Sequence, residues 1–179
     1  MLHALQIVSD RFTDRLGQVA ALLMLLTLVN VFYDATGRYF FRTGSIALQE
    51  MEWHLFSLVF LFGIAYALKE EGHVRVDLLY SRLSPRARAL INLLGAFLFL
   101  IPLAVLIIRG SIPFVVEAYR VGEISGDPGG LTHRWLIKAM IPVSFVFLLV
   151  STAGFVIRNW LVWRAPPPDA PAREPGSGV

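Results

Sequence analysis

The chain has 179 residues, 56% hydrophobic and 16% charged, with a formal net charge of +3 and a mean hydropathy of +0.63. That balance takes it out of the soluble class, and its arginines sit beside apolar runs, where they set orientation rather than bind nucleic acid. The absence of cysteine excludes disulfides, thiolate metal sites, haem attachment and thiol redox relays.

Crossing a bilayer's hydrocarbon core of about 30 Å takes about 20 apolar residues. Four uncharged runs approach that length, at 16–33, 53–68, 90–108 and 139–157, and with their flanking turns they predict spans over 16–36, 48–69, 86–109 and 136–158. Arg11 and Arg15 precede the first run, as they would in a secretory signal. The run nevertheless exceeds the roughly 7–15 residues of a signal's apolar region, and no small-residue cleavage site follows it. It is read as a retained helix. At its far end Asp34 and Arg38 stand four apart, so on a continued helix they face each other. They make either a neutralised pair at headgroup level or a contact with another subunit.

The second span opens on Glu50, Glu52, Trp53 and His54. A carboxylate in the first helical turn suits the positive end of the helix dipole, which makes Glu50 an entry-stabilising group. The other reading of Glu50 and His54 is a proton relay, but no further acid or histidine continues it into the membrane. Gly63 and Ala67 form a small-xxx-small step, suited either to a helix of the same bundle or to another subunit. Asn30 and Asn92 are isolated intramembrane amides and read as interhelical hydrogen-bonding groups.

Beyond the second span come His73, Arg75 and Asp77. His73 and Asp77 present two groups on one helical face, but zinc takes three or four protein ligands and no others converge, so the pair is structural. Val76, Leu79, Tyr80 and Leu83 recur at helical spacing among Arg75, Arg82 and Arg86, which predicts a short amphipathic helix on the membrane surface. Ser84 and Pro85 read as an N-cap and first helical residue. Pro102 and Pro142 are expected to kink or tilt the third and fourth spans. Between those spans, Gly122, Gly126 and the turn Asp127-Pro128-Gly129-Gly130 predict a loop folded back over the surface. Residues 165–179 are mostly proline, alanine, glycine and charge and predict a disordered tail. The expected fold is thus an all-α membrane domain over 1–164, with four transmembrane helices and one surface helix.

With four spans the termini share a side, and that side holds ten of the sixteen Lys and Arg. The positive-inside rule then places both termini in the cytoplasm. Trp53 and Trp135 fall at the outer interface, and Trp160 and Trp163 at the inner one. No nucleophile–base set or phosphate loop is present, and His3 and His133 lie outside the spans, where they offer no paired haem ligands. The chain reads as a non-enzyme without a cofactor.

Gly37-Arg38-Tyr39 after span one, Gln49-Glu50 opening span two, Leu55-Phe56 to Gly63 within it, the run from Gly72 to Asp77 and Arg82-Leu83-Ser84-Pro85 form an ordered set over nearly the whole folded part. In this set the chain resembles the small membrane subunit, the DctQ type, of tripartite ATP-independent periplasmic (TRAP) transporters. QEMEWHLF, HVRVD and DPGGL are similar to the branch associated with mannitol, chloroaromatic compounds and 2-oxo acids. Many members carry two acids and then an arginine at the start of span two, where this chain has Gln49, Glu50 and Trp53. If that arginine pairs with the large subunit, this chain makes the contact differently.

The resemblance implies a multi-pass protein of the bacterial inner membrane, in contact with membrane lipid, whose partners are a large membrane subunit and a periplasmic substrate-binding protein. The large subunit would hold the sodium and carboxylate-solute sites and move as an elevator while this chain braces it. Asp34, Arg38, Glu50, Glu52, Trp53, His54, Gly63, His73, Arg75 and Asp77 are the candidate interface residues. The alternative from another class is a self-sufficient homo-oligomeric transporter or channel, with Glu50 as its coupling acid.

Overall fold

The computed structural model describes residues 2–70 and 83–165, so His73, Arg75, Asp77, the surface helix predicted over 76–83 (apart from Leu83) and most of the tail lie outside the described residues. The described chain is all helical. Helix α1 spans Leu2–Phe40 and α2 spans Ile46–Lys69. The third span runs without interruption over Pro85–Arg120 as α3 (Pro85–Gly95), a π-helical turn (Ala96–Leu100) and α4 (Ile101–Arg120). Helix α5 spans Trp135–Arg164. These make four helices long and apolar enough to cross a membrane.

Three of the helices continue past the spans predicted from the sequence. At 1.5 Å per residue the 39 residues of α1 reach about 58 Å, almost twice the hydrocarbon thickness. The third span continues to Arg120 and α5 to Arg164. Charge marks where lipid ends, but a helix ends only where its hydrogen bonding fails, and neither Arg109 nor Arg158 interrupts that bonding. Ser84 caps α3, its hydroxyl accepting from Ala87 N–H at 3.3 Å, with Pro85 in the first turn, as the sequence predicts. Ser45 likewise caps α2 and accepts from Leu48 N–H. Glu50 therefore lies beyond the first turn, and Ser45 performs the entry-stabilising role expected of it.

Pro102 acts through the backbone before it. Proline cannot donate to the carbonyl four residues back, and its ring crowds that carbonyl. The helix widens to accommodate this, and Ile101 N–H bonds Ala96 O five residues behind it. Pro142 lies inside α5, and Pro113, which sequence reading passed over, lies inside α4.

Helix α5 packs against every other helix, whereas α1 and the third span are not substantial neighbours among the described residues. In the most apolar window of α5 33% of residues are buried, against 11% in α1 and in α2. Its buried face mixes small and polar residues, Ser144, Ser151, Thr152 and Gly154, with the larger Leu148 and Phe155. Ser9 of α1 donates to Val150 O at 2.8 Å, and the Thr13 and Ser151 hydroxyls bond each other at 2.7 Å. Asn92 donates to Asn159 Oδ1 at 2.8 Å, and Asn30 ties α1 to Leu48 O of α2 at 2.9 Å. Both asparagines singled out in the sequence are thus interhelical bonding groups. Such bonds contribute about 0.6–2 kcal/mol each in a bilayer.

Glycines set the closest approaches. A Cβ on Gly154 would lie 2.6 Å from Ser9 Oγ, and one on Gly17 would lie 2.5 Å from the Tyr66 ring. Gly63 behaves differently, since a Cβ there meets nothing within 4 Å. The small step at Gly63 does not serve internal packing, which depends instead on glycines in α1 and α5.

Gly154→Val should therefore push α1 off α5 and destabilise the bundle by about 1–3 kcal/mol, as overpacking does. Denaturant unfolding in detergent measures it, with Gly63→Val expected to unfold like the unaltered chain.

Candidate functional site

One end of the bundle carries the α1–α2 connection and the loop over 121–134, and charged groups from distant parts of the chain meet there. The loop begins with a helix stop. Gly122, at φ +60°, follows α4, with Glu123 N–H bonding Ala118 O at 2.9 Å and Gly122 N–H bonding Tyr119 O at 3.2 Å. This double bond pattern satisfies the last carbonyls of α4 and turns the chain sharply.

The loop then closes on itself. Ser125 N–H bonds Leu131 O at 3.0 Å, Gly130 N–H bonds Asp127 O at 3.0 Å, and Arg134 N–H bonds Glu123 O at 3.2 Å. Gly129 holds φ +84°. The fold-back expected from Asp127-Pro128-Gly129-Gly130 is present, fastened by a residue that sequence reading placed elsewhere. Glu50 of α2 accepts the Leu131 N–H at 2.5 Å on one carboxylate oxygen and the Ser125 hydroxyl on the other. A Cβ on Gly130 would fall 2.5 Å from Ser125 and 2.8 Å from Glu50 Oε2, so only glycine fits beneath this clasp.

Charges of alternating sign continue outward from Glu50. Arg134 lies 4.0 Å from Glu50 and 3.9 Å from Glu123, and Glu123 pairs with Lys138 of α5. The Lys138 ammonium also sits 4.0 Å from the centre of the Phe114 ring, and Tyr119 meets Trp135 edge-on at 5.3 Å. Two acids and two bases leave the cluster neutral, and it joins α2, the loop and α5.

The remaining candidates fall around this clasp without entering it. Arg38 lies 2.6 Å from Asp34, whose side chain is 1% exposed, so the i,i+4 pairing predicted from sequence is realised. Asp34 also borders a cavity of about 470 Å³ formed with Tyr33, Phe41, Ser45 and Leu48. The His54 ring nitrogen Nδ1 meets the Glu50 backbone carbonyl at 2.6 Å rather than its carboxylate, so the two side chains do not form a relay pair. One Glu52 carboxylate oxygen is buried without a hydrogen-bond partner. Trp53 is 72% exposed. The Trp160 and Trp163 rings meet at a tilt of 38°, 5.2 Å apart, near the other end of α5. Among the described residues, no group of three His, Cys, Asp or Glu side chains converges.

Sequence reading missed Ser125, Gly130, Leu131 and Arg134 as partners of Glu50. The usable signal was charge: an acid entering span two and the bases Arg134 and Lys138 entering span four belong to the same end of a four-helix bundle.

A family model described as "Tripartite ATP-independent periplasmic transporters, DctQ component" matches residues 23–162. The chain is also similar to a Haemophilus influenzae protein named as a TRAP transporter small permease. The two are 24% identical over 141 residues, which cover 78% of this chain and 84% of the relative.

Glu50→Gln should release the loop by removing charge-assisted bonds worth about 1.5–3 kcal/mol. Hydrogen exchange at the Leu131 amide is expected to accelerate by roughly tenfold or more. Protection equal to that of the unaltered chain would contradict the clasp.

Proposed function

The chain belongs to the DctQ component family of tripartite ATP-independent periplasmic transporters, and we propose that, as the small subunit of such a transporter, it acts as a scaffold and docking piece. It is a transporter subunit and not an enzyme. In this reading it braces a large elevator-type membrane subunit, which carries the sodium and solute sites, while a periplasmic binding protein delivers a carboxylate-type solute. Its place is the bacterial inner membrane, with both termini cytoplasmic, in accord with the ten Lys and Arg on the terminal side.

The observation that carries this proposal is the use made of polar groups on the long helices. Ser9, Thr13, Asn30, Asn92 and Asn159 all bond to neighbouring helices, and hydroxyls such as those of Thr27, Ser57 and Thr152 bond their own helix. A transport site needs polar groups facing a cavity near the midplane, whereas these groups hold the bundle rigid. The clasped loop supports a docking role in the same way, since a partner that meets a preformed surface loses less ordering entropy.

The rival reading, a self-sufficient pore coupled through Glu50, draws less support. The Glu50 carboxylate is engaged by the loop, and a coupling acid must be free to exchange its ion. Reconstitution separates the two. Solute uptake is expected only in proteoliposomes that contain this chain, the large membrane subunit and the binding protein, and the two membrane subunits are expected to co-purify. Full-rate uptake without this chain would overturn the bracing role. Uptake by this chain alone, abolished in Glu50→Gln, would establish the pore.

A further inference from the structure

Helix α2 and the third span both lie on α5, and Leu68, Ala96, Leu148 and Phe155 form a buried floor between them. Above that floor is an apolar cleft of about 380 Å³, walled by Ile91, Gly95, Phe99 and Leu103 of the third span. Its mouth opens sideways, for Ile91, Phe99 and Leu103 are 48%, 73% and 54% exposed. Asn92 also borders it, with its amide donating to Asn159.

Each wall carries a basic residue at the same end. Lys69 follows Leu68, Arg88 stands one turn before Asn92, and Arg158 stands three residues after Phe155. Among the described residues, the acids at that end gather on Lys69, which pairs with Asp14 and has Asp10 and Glu70 nearby. Arg88 Nε donates to Leu83 O at 3.0 Å. Arg158 donates through Nη2 to Lys69 O at 3.1 Å, and its guanidinium lies 5.9 Å from the Phe155 ring centre. Its Nε is buried without a hydrogen-bond partner. The Arg158 side chain as a whole remains partly exposed, so a cation stands beside one end of an apolar slot.

We infer that this cleft is a phospholipid site, with one acyl chain along Ile91, Gly95, Phe99 and Leu103 and the phosphate at Arg158. Basic pockets between membrane helices take lipid phosphates because the cations meet the headgroup layer there. A partner helix fits less well. From Ile91 to Leu103 is about 18 Å of helix, and a helix is about 10–12 Å across with its side chains. Spread over that length, the cleft's volume admits a single extended hydrocarbon chain.

Native mass spectrometry of the full chain, purified in mild detergent and titrated with palmitoyl-oleoyl phosphatidylglycerol, tests the site. A Cβ at Gly95 meets nothing within 4 Å, so Gly95→Leu has room to project from the helix into the cleft, and it removes a helix-weakening glycine. It should weaken lipid retention about tenfold, as the loss of a few buried methylenes does. Arg158→Gln should weaken the phospholipid and leave a neutral diacylglycerol probe unaffected, and Gly63→Leu should match the unaltered chain. Equal retention by Gly95→Leu, or no lipid on the unaltered chain, overturns the site. The same follows if a Gly95→Cys chain, carrying the only cysteine, forms a disulfide with an engineered cysteine in another membrane subunit, for the cleft is then covered by protein.

Discussion

Close approach between helices is the constraint on which the remaining structure depends. Lipid tails are as apolar as leucine, so membrane helices gain little by exchanging lipid for one another's hydrophobic side chains. Association must come from short distances, which bring dispersion and polar bonding, and those distances require small residues at the crossing. Gly154 admits Ser9, Gly17 admits the Tyr66 ring, and Ser151 meets Thr13. With α1 and α2 seated in this way and the third span held through Asn92 and Asn159, the ends of all four long helices are fixed relative to one another. The loop end then has a stable frame on which Glu50 can reach a segment some 80 positions further along the chain.

The clasp also resolves an electrostatic problem. A carboxylate near the hydrocarbon edge is costly if it stands alone, and here it receives a backbone N–H, a hydroxyl and a nearby guanidinium. The loop in turn needs an acceptor for the Leu131 amide, because an unpaired backbone group in partly buried surroundings is costly as well. Each side meets the other's requirement, and the resulting surface is rigid and locally neutral. That character suits a piece whose work is to hold another protein in place.

Much of this fold was legible from the sequence because span length and apolarity respond to one dominant property of the bilayer. The Ser84-Pro85 entry and the bonding roles of Asn30 and Asn92 were legible for local reasons, a cap chemistry and a polar group in lipid. The inward face of each helix was not. Helices α1, α2 and α5 carry no one-sided apolar stripe, so nothing in the pattern distinguishes the face of Gly63 from the faces of Gly17 and Gly154. The partners of Glu50 were hidden differently, since Ser125 and Leu131 are 75 and 81 positions away and only the assembled bundle brings them near.

The widened turn at Ala96–Leu100 has a consequence for how this span can vary. Such a turn holds one residue more than the α-helical path between the same two flanks. Deleting one residue between Gly95 and Ile101 together with Pro102→Ala would let the backbone relax into plain α-helix, while Asn92 on one side and Ser111 on the other keep their rotational phase against α5. The third span thus has a place where length can change without disturbing its contacts, and related chains that differ by one residue there can share the same bundle.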